Sequence, residues 1–433
     1  MCEKIKESCP GKRQIFMIGI GMGTAASVTA EALEAVRSCE CLIGAARMLD
    51  AVRCLSDCGH AADAGEDLPG GKPAELCEYR ADRIMSFIER HPEYMRVGVV
   101  LSGDTGFYSG AKKLTELLGA EPDRYEIRLI PGLSSVACLA ARMKTTWEDG
   151  AILSLHGQDE NFIQTVDRNE KTFLLLGGSG TGAHMLERLR EYGMDDVKVS
   201  LGCRLAYPDE RITTGHPDEL SAGDADGLCV AMILNPHPDK TAGPHICDGE
   251  FIRGNVPMTK EEVRAVSLAA LELTKDAVVY DIGAGTGSVS VEAARSGNRI
   301  RVYAVEKKPE AVELLRQNRI KFRADGIRIT VGTAPEALSG LEPPTHVFVG
   351  GSSGNLREIL LAVHEKNPSV RIVINAVSLE TLTEAMNAAE EGILENVRIT
   401  QVAAARSRKL GDYHMMTGQN PVYIISAGGK ENV

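Results

Sequence analysis

DIGAGTGSVSVEAA, residues 281–294, is the stretch on which the fold turns. Its glycines fall at Gly283, Gly285 and Gly287, a GxGxG spacing rather than the GxGxxG of dinucleotide-binding turns. Glycine lets the backbone approach a ligand where a Cβ would collide. Ahead lies an apolar run, AVVYDIG (277–283), read as a strand; behind lies a helix predicted from about Ser288, whose N-terminus favours a carboxylate or phosphate. Asp281, at the strand's end, is placed to accept hydrogen bonds from an ammonium. The next strand, RVYAVE (301–306), ends in Glu306, 19 residues past Gly287, where a carboxylate can take both ribose hydroxyls. Strand, turn, helix and acid in this order specify a nucleoside-bearing ligand. A ligand-free structural turn and a dehydrogenase are the weaker alternatives.

Outward from this turn, strands are expected at IRITVG (327–332), HVFVGG (346–351), VRIVINAV (370–377), NVRITQVAAA (396–405) and PVYIISA (421–427). Seven strands with helical crossovers predict a doubly wound α/β sheet. Thr259-Lys260-Glu261-Glu262 reads as a capping box ahead of a helix ending near Leu273. Before it, NPHPDKTAGPHICD (235–248) has three prolines and no periodicity and reads as a linker. The expected division is a first domain at 12–235, a linker at 236–248 and a second domain at 249–433.

The first half repeats the α/β alternation. Strands are expected at IFMIGIGMGT (15–24), RVGVVLSG (96–103), YEIRLIPG (125–132), AILSLHG (151–157), KTFLLLGG (171–178) and LCVAMIL (228–234), in parallel or mixed sheets, with Thr29 capping a helix over AEALEAVRS. Residues 19–23, GIGMG, form a second glycine-rich turn, but no strand-end acid follows at the spacing a Rossmann site needs.

Composition narrows the class. The chain has 433 residues, 43% apolar and 25% charged, enough for two or three soluble domains. No apolar run approaches the length of a membrane span, and the first residues lack a signal peptide's apolar core, so the expected location is cytoplasmic. The net charge of −12, nearly all of it before residue 241, argues against nucleic acid as a partner. The eleven cysteines are read as reduced, scattered thiols; Cys54-x3-Cys58-x-His60 lacks a second ligand pair, and no metal site is expected.

The site around 281–306 resembles the S-adenosyl-L-methionine site of Rossmann-like methyltransferases. That resemblance places Gly332, Thr333 and Ala334 of GTAPEAL (332–338) beside the adenine and Gly350 of VGGSSGNL (349–356) toward the transferable methyl. In the first half, LSGDTGFYSG (101–110), PGLSSVACLAARM (131–143), SLHGQ (154–158) and YPDERI (207–212) together resemble the tetrapyrrole methylases, a two-lobed α/β methyltransferase class. There Gly103, Asp104, Ser134 and Ser135 fall in cofactor-contacting loops. Met22 and Thr105 stand where the family often has proline. A CbiE-like tetrapyrrole methylase followed by a CbiT-like methyltransferase is similar, over nearly the whole chain, to the precorrin-6Y methyltransferases of cobalamin synthesis. DGEFIRGNVPMTKEEVRA (248–265), INAVSLE (374–380) and LGDYHMMTGQNPVYII (410–425) carry that similarity in the second half. The resemblance implies methylation of carbons 5 and 15 of the macrocycle and loss of CO2 from the ring C acetate. It also implies a tetrapyrrole substrate and neighbouring corrinoid-pathway enzymes as partners; a homo-oligomer is expected. A two-module methyltransferase acting on RNA or protein, and a single active module beside a non-catalytic first half, are the alternatives.

Such a substrate carries many carboxylates on a flat apolar ring, so its site needs dispersed cations over an apolar floor. AAARSRKL (403–410) offers Arg406, Arg408 and Lys409 with no acid nearby in sequence; Arg253 and Lys260 are further candidates. Tyr413 and His414 are candidate proton carriers, and Asn375, at the fifth strand's end, is a candidate for orienting substrate.

Overall fold

The computed structural model describes residues 11–57, 72–155, 161–178 and 180–429. By their contacts they fall into two compact units, one within Met1–Gly157, Lys171–His184 and Lys198–Leu234, the other within Gln158–Glu170, Met185–Val197 and Asn235–Val433.

In the first unit, β1 (Arg13–Gly19), β2 (Cys41–Gly44), β3 (Ala74–Cys77), β4 (Arg96–Leu101) and β5 (Tyr125–Ile130) form a parallel sheet in the order β3-β2-β4-β1-β5. The apolar run at β1 does not alternate with polar residues because both faces of the strand are covered. Phe16 and Ile18 point to helices Ala30–Ser38 and Ala46–Asp57, while Ile15 and Met17 point to Ala81–Arg90 and Ala111–Gly119. Thr29 caps the first of these helices as expected, its Oγ1 accepting from the Ala32 amide at 3.1 Å. A second sheet joins β6 (Ala151–Ser154), β7 (Lys171–Leu176), β8 (Lys198–Cys203), β9 (Arg211–Gly215) and β10 (Cys229–Leu234) in the order β6-β7-β10-β8-β9. Only the β6–β7 pair is parallel. Cys203 and Cys229 sit opposite each other on β8 and β10 and are joined by a disulfide, so the reading of every thiol as free fails for this pair. Cys58 and His60 lie outside the described residues.

In the second unit, β11 (Val278–Ile282), β12 (Arg301–Glu306), β13 (Ile327–Val331), β14 (His346–Val349), β15 (Arg371–Ala376) and β16 (Arg398–Val402) precede a separate hairpin, β17 (Ala405–Leu410) and β18 (Tyr413–Gly418); β19 (Val422–Ala427) closes the sheet. The sheet order is β13-β12-β11-β14-β15-β19-β16, with β19 antiparallel to both neighbours. Successive strands are added outward in one direction from β11 to β13 and in the other from β14 to β15, and a doubly wound sheet opens its binding crevice at such a switch point, here between the parallel strands β11 and β14.

The expected capping box at Thr259 does not form. Helix Glu261–Leu271 starts one residue later than a box at Thr259 requires, with Lys260 as N-cap, whose ammonium has no acceptor to offer; Glu262 bonds Arg406 instead, and Glu261 accepts from the Asp248 amide at 2.8 Å. The helix ends at Leu271, where Glu272 takes a left-handed conformation.

Two stretches from the first half of the chain pack with this second unit. Buried Asp325 accepts from the amides of Ile163 (2.8 Å) and Gln164 (3.2 Å), and burial pushes its carboxyl up to about 7. Arg295, itself nearly buried, bonds Asp167 (3.2 Å) and Asp239, and Arg323 reaches Asp167 at 2.6 Å.

Candidate active site

At the C-terminal ends of β11, β12, β14 and β15 lies a cavity of about 530 Å³. Its floor is the quoted glycine turn. Gly283, Gly285 and Gly287 all have positive φ (+73°, +56° and +78°), a conformation L side chains rarely adopt. A Cβ on Gly283 would lie 2.6 Å from the Gly351 carbonyl, and one on Gly285 would lie 3.1 Å from that of Pro257. The first two glycines line the cavity; Gly287 instead forms the N-cap of helix Ser288–Arg295 and packs on Leu315. Over the turn runs the strap Val256–Met258, whose root is fixed by Asn318. That buried amide exchanges bonds with Ile252 (2.9 and 3.0 Å) and donates to the Thr286 carbonyl at 2.9 Å.

Asp281 stands behind the turn, 1% exposed. Ser290 donates to its Oδ2, while Oδ1 has no partner. Burial, opposed by the Ser290 bond and reinforced by the Glu306 charge, pushes its carboxyl up to about 6. Asp281 does not itself line the cavity, which its neighbours Ile282 and Gly283 reach; an orphaned buried carboxylate oxygen one residue behind that lining suits an ammonium group. Glu306 accepts from the amides of Gly285 (2.9 Å), Lys307 (2.8 Å) and Lys308 (2.9 Å). These bonds fix its two oxygens at the cavity edge; Oε1 takes both lysine amides, and Oε2, with the Gly285 amide alone, keeps a further lone pair for a hydroxyl. Gly332, Thr333, Ala334 and Gly350 line the same cavity, as does Asn375. The Asn375 Oδ1 accepts from Ser267 Oγ at 3.0 Å, which leaves Nδ2 as a buried donor without a partner.

The expected substrate cations sort differently. Lys260 lines the cavity; Arg253 lies on a shallower neighbouring depression that also includes Lys260. Arg406 does not stand clear of acids. Its guanidinium makes two bonds of 2.6 Å to Glu262 and further pairs with Asp248 (3.1 Å) and Glu261 (3.3 Å). Distance in sequence concealed these acids, which belong to the segment 248–262. Arg408 is exposed on β17 and does not line the cavity. Tyr413 and His414 are exposed on β18, and because successive strand residues face opposite ways they project from opposite faces of the hairpin. They cannot converge on one substrate atom, and neither lines the cavity. The cations that do line it besides Lys260 are Lys307 and Lys308, with Lys307 Nζ 2.9 Å from Ser353 Oγ. Sequence reading passed over this pair, although KK directly after the acid-terminated strand RVYAVE marks it. Apolar walls come from Val256, Met258, Val263, Ile359, Val377 and Val422.

In the first unit, the loops after β1, β4 and β5 converge. Gly21 and Gly103 exchange amide–carbonyl bonds (3.1 and 2.8 Å), and a Cβ on Gly19 would lie 2.8 Å from both Gly103 O and Gly132 N. Asp104 ties these loops together: Oδ1 accepts from Gly132 N (3.1 Å) and Oδ2 from Gly106 N (2.9 Å). Ser134 caps helix Ser135–Arg142 by accepting from Ala137 N at 3.1 Å, and Ser135 opens that helix. Arg47 donates to Ser102 Oγ and Tyr207 OH, each at 3.1 Å.

Comparison with known proteins matches the chain in two successive stretches. Residues 14–221 match the family model for tetrapyrrole (corrin/porphyrin) methylases, and residues 250–427 match that for the precorrin methyltransferase domain. A probable cobalt-precorrin-6B C(15)-methyltransferase (decarboxylating) of Pyrobaculum calidifontis is 44% identical over 189 residues, 43% of this chain and 96% of that protein. The cobalt-precorrin-6B C(15)-methyltransferase (decarboxylating) of Salmonella typhimurium is 38% identical over 188 residues, 43% of this chain and 96% of that protein. Among solved structures, a precorrin-6Y C5,15-methyltransferase chain from Geobacter metallireducens is 41% identical, covering 43% of this chain and 96% of its own, with a TM-score of 0.41.

Proposed function

The chain belongs to the precorrin methyltransferase family, and from that premise we propose how its two halves divide their chemistry. The enzyme is an S-adenosyl-L-methionine-dependent C-methyltransferase of cobalamin biosynthesis. It methylates carbons 5 and 15 of a precorrin-6-type macrocycle and removes the ring C acetate carboxyl as CO2. We assign carbon 15 and the decarboxylation to a domain at 249–433, carbon 5 to a domain at 12–235, and the connection to residues 236–248.

The observation that carries the assignment is one cavity lined by the glycine turn, Glu306 and an unpartnered amide donor (Asn375 Nδ2), with the unpartnered carboxylate oxygen of Asp281 buried directly behind that turn. The methyl donor supplies an electrophilic methyl group and its own leaving group, so positioning is the protein's main task. Asp281 takes the ammonium, Glu306 the ribose hydroxyls, and Thr333 and Ala334 flank the adenine. Lys260, Lys307 and Lys308 hold peripheral carboxylates against the apolar wall. Asn375 Nδ2, aimed by Ser267, donates to the ring C acetate. Taking that carboxylate from water favours cleavage of its bond to the methylene; the electron pair flows into the macrocycle and CO2 departs. In the first domain, the loops carrying Gly103, Asp104, Ser134 and Ser135 hold the second cofactor through backbone groups.

The protein is expected in the cytoplasm; no described helix is long and apolar enough to cross a membrane. Neighbouring corrinoid enzymes remain its proposed partners. Homo-oligomerisation is also proposed, with the exposed Leu410, Tyr413, Met415 and Met416 of the hairpin as available apolar surface. Incubation of the full chain with labelled cofactor and a precorrin-6-type substrate, read by mass spectrometry, tests the chemistry. The product should gain two methyl groups and lose one CO2. Calorimetry with S-adenosylhomocysteine should find two sites per chain; a single site at saturation overturns the division.

A further inference from the structure

We propose that His245, Cys247 and Glu261 form a zinc site at the entrance to the second unit. No spacing in the sequence flags it, because Glu261 comes 14 residues after Cys247 and the set exists only in the fold. One donor atom from each residue lies within 4.8 Å of the other two. Tetrahedral zinc with bonds of about 2.0–2.3 Å needs donors roughly 3–4 Å apart, so a small contraction completes the site.

The backbone already presents these donors together. Ile246, between the two outward-facing ligands, is buried. Its amide donates to Glu292 at 3.0 Å, and its carbonyl accepts from the buried Arg264. With that residue pinned, His245 and Cys247 sit exposed on either side of it. Glu261 is fixed by accepting from the Asp248 amide through Oε2. Its Oε1 lies 3.3 Å from Arg406, so the carboxylate binds metal through one oxygen and keeps the guanidinium on the other. Glu250, which accepts from the Cys247 amide at 3.0 Å, adds negative charge nearby.

The donor chemistry selects the ion. Imidazole, thiolate and carboxylate suit zinc and its first-row neighbours and do not suit magnesium or calcium. Binding forms the metal–sulfur bond and releases the thiol proton to solvent. Thiolate and carboxylate together balance the dication, and water fills the fourth, solvent-facing position. The metal would staple the segment before residue 250 to the first residue of helix Glu261–Leu271, next to the strap and Lys260 that wall the cavity.

The full chain, dialysed against zinc and then exchanged with cobalt(II), tests this. One tightly held metal per chain, with a thiolate-to-cobalt charge-transfer absorption, is expected. Cys247→Ser should abolish that absorption, His245→Ala should weaken metal binding at least about tenfold, and Glu261→Gln should weaken it while keeping the band. Cys54→Ser and Cys77→Ser should leave the band intact. Absence of the band, or its survival in Cys247→Ser, overturns the site. Should Cys247→Ser fail to fold, unchanged affinity in His245→Gln overturns it equally.

Discussion

Replacing Asp281 with Asn should stabilise the cofactor-free protein while crippling cofactor binding, and the two effects should depend on pH in a defined way. The carboxyl lies near 3.8 when unperturbed and is pushed up to about 6 in the fold, chiefly by burial. A carboxyl raised on folding favours the native state below its unfolded value, and that contribution is lost as pH rises through the folded value. At neutral pH the buried charge therefore costs about 3 kcal/mol, at roughly 1.36 kcal/mol per unit. The difference in stability between Asp281→Asn and the parent should be small near pH 4 and grow to as much as about 3 kcal/mol in the mutant's favour by pH 8. Urea unfolding at several pH values measures it. A difference that does not change with pH would refute the raised carboxyl. In the parent, affinity for S-adenosylhomocysteine at this site should fall as pH drops below about 6, since only the carboxylate pairs with an ammonium. In Asp281→Asn that affinity should be roughly 10–100-fold weaker at pH 8, the worth of a charge-assisted bond. Equal affinities would remove Asp281 from the cofactor site.

Lys307→Ala and Lys260→Ala should each raise KM for the macrocycle about tenfold with kcat little changed, as loss of uniform binding does; steady-state kinetics decides it. Ser267→Ala should lower kcat for decarboxylation more than it changes KM, because it frees the Asn375 amide to turn; equal loss in both parameters would make the residue merely structural. Arg406→Ala should leave KM unchanged and lower stability by about 1 kcal/mol, the scale of a partly exposed ion-pair network, measured by thermal unfolding. Gly283→Ala should destabilise the second unit and abolish its cofactor binding, since its Cβ would meet the Gly351 backbone; retained calorimetric binding would contradict the close approach.

Much of the second unit was legible because its signals are local. Most of its seven sheet strands are apolar-rich runs bounded by glycine, proline or charge, the exposed edge strand β16 being the exception, and the acid at Glu306 follows the turn at a fixed distance. The hairpin at β17–β18 was missed although its two-residue Gly411-Asp412 turn is a recognised hairpin signal. Its strands are polar and exposed, so they lack the buried face that hydrophobic patterning detects. In the first unit β2 and β3, only four residues each, were too short to stand out, and β8 and β9 fell between louder neighbours. Site residues failed where they depended on pairing across long separations. Arg406 looked unopposed because Glu262 lies 144 positions away, and Asn318 is a mid-helix residue with no local mark. Lys307 and Lys308 were available to local reading but were overshadowed by the arginines of 403–410.

The carboxylates on Arg295 and Arg323 bear on whether such a two-part chain can be divided. The relative from Pyrobaculum calidifontis is matched over 96% of its own length by 43% of this chain, so it has no counterpart to most of the rest. Here, both acids that answer Arg295, Asp167 and Asp239, come from before residue 241, as do the amides that cap Asp325. Scission at the proline-rich seam would leave a buried guanidinium and a buried carboxyl without their counterparts, a loss of several kcal/mol. A chain with such a dependence resists division: the acids and amides that answer Arg295 and Asp325 come from one side of the seam and the groups they answer from the other, so the joined form is the one in which each has its counterpart.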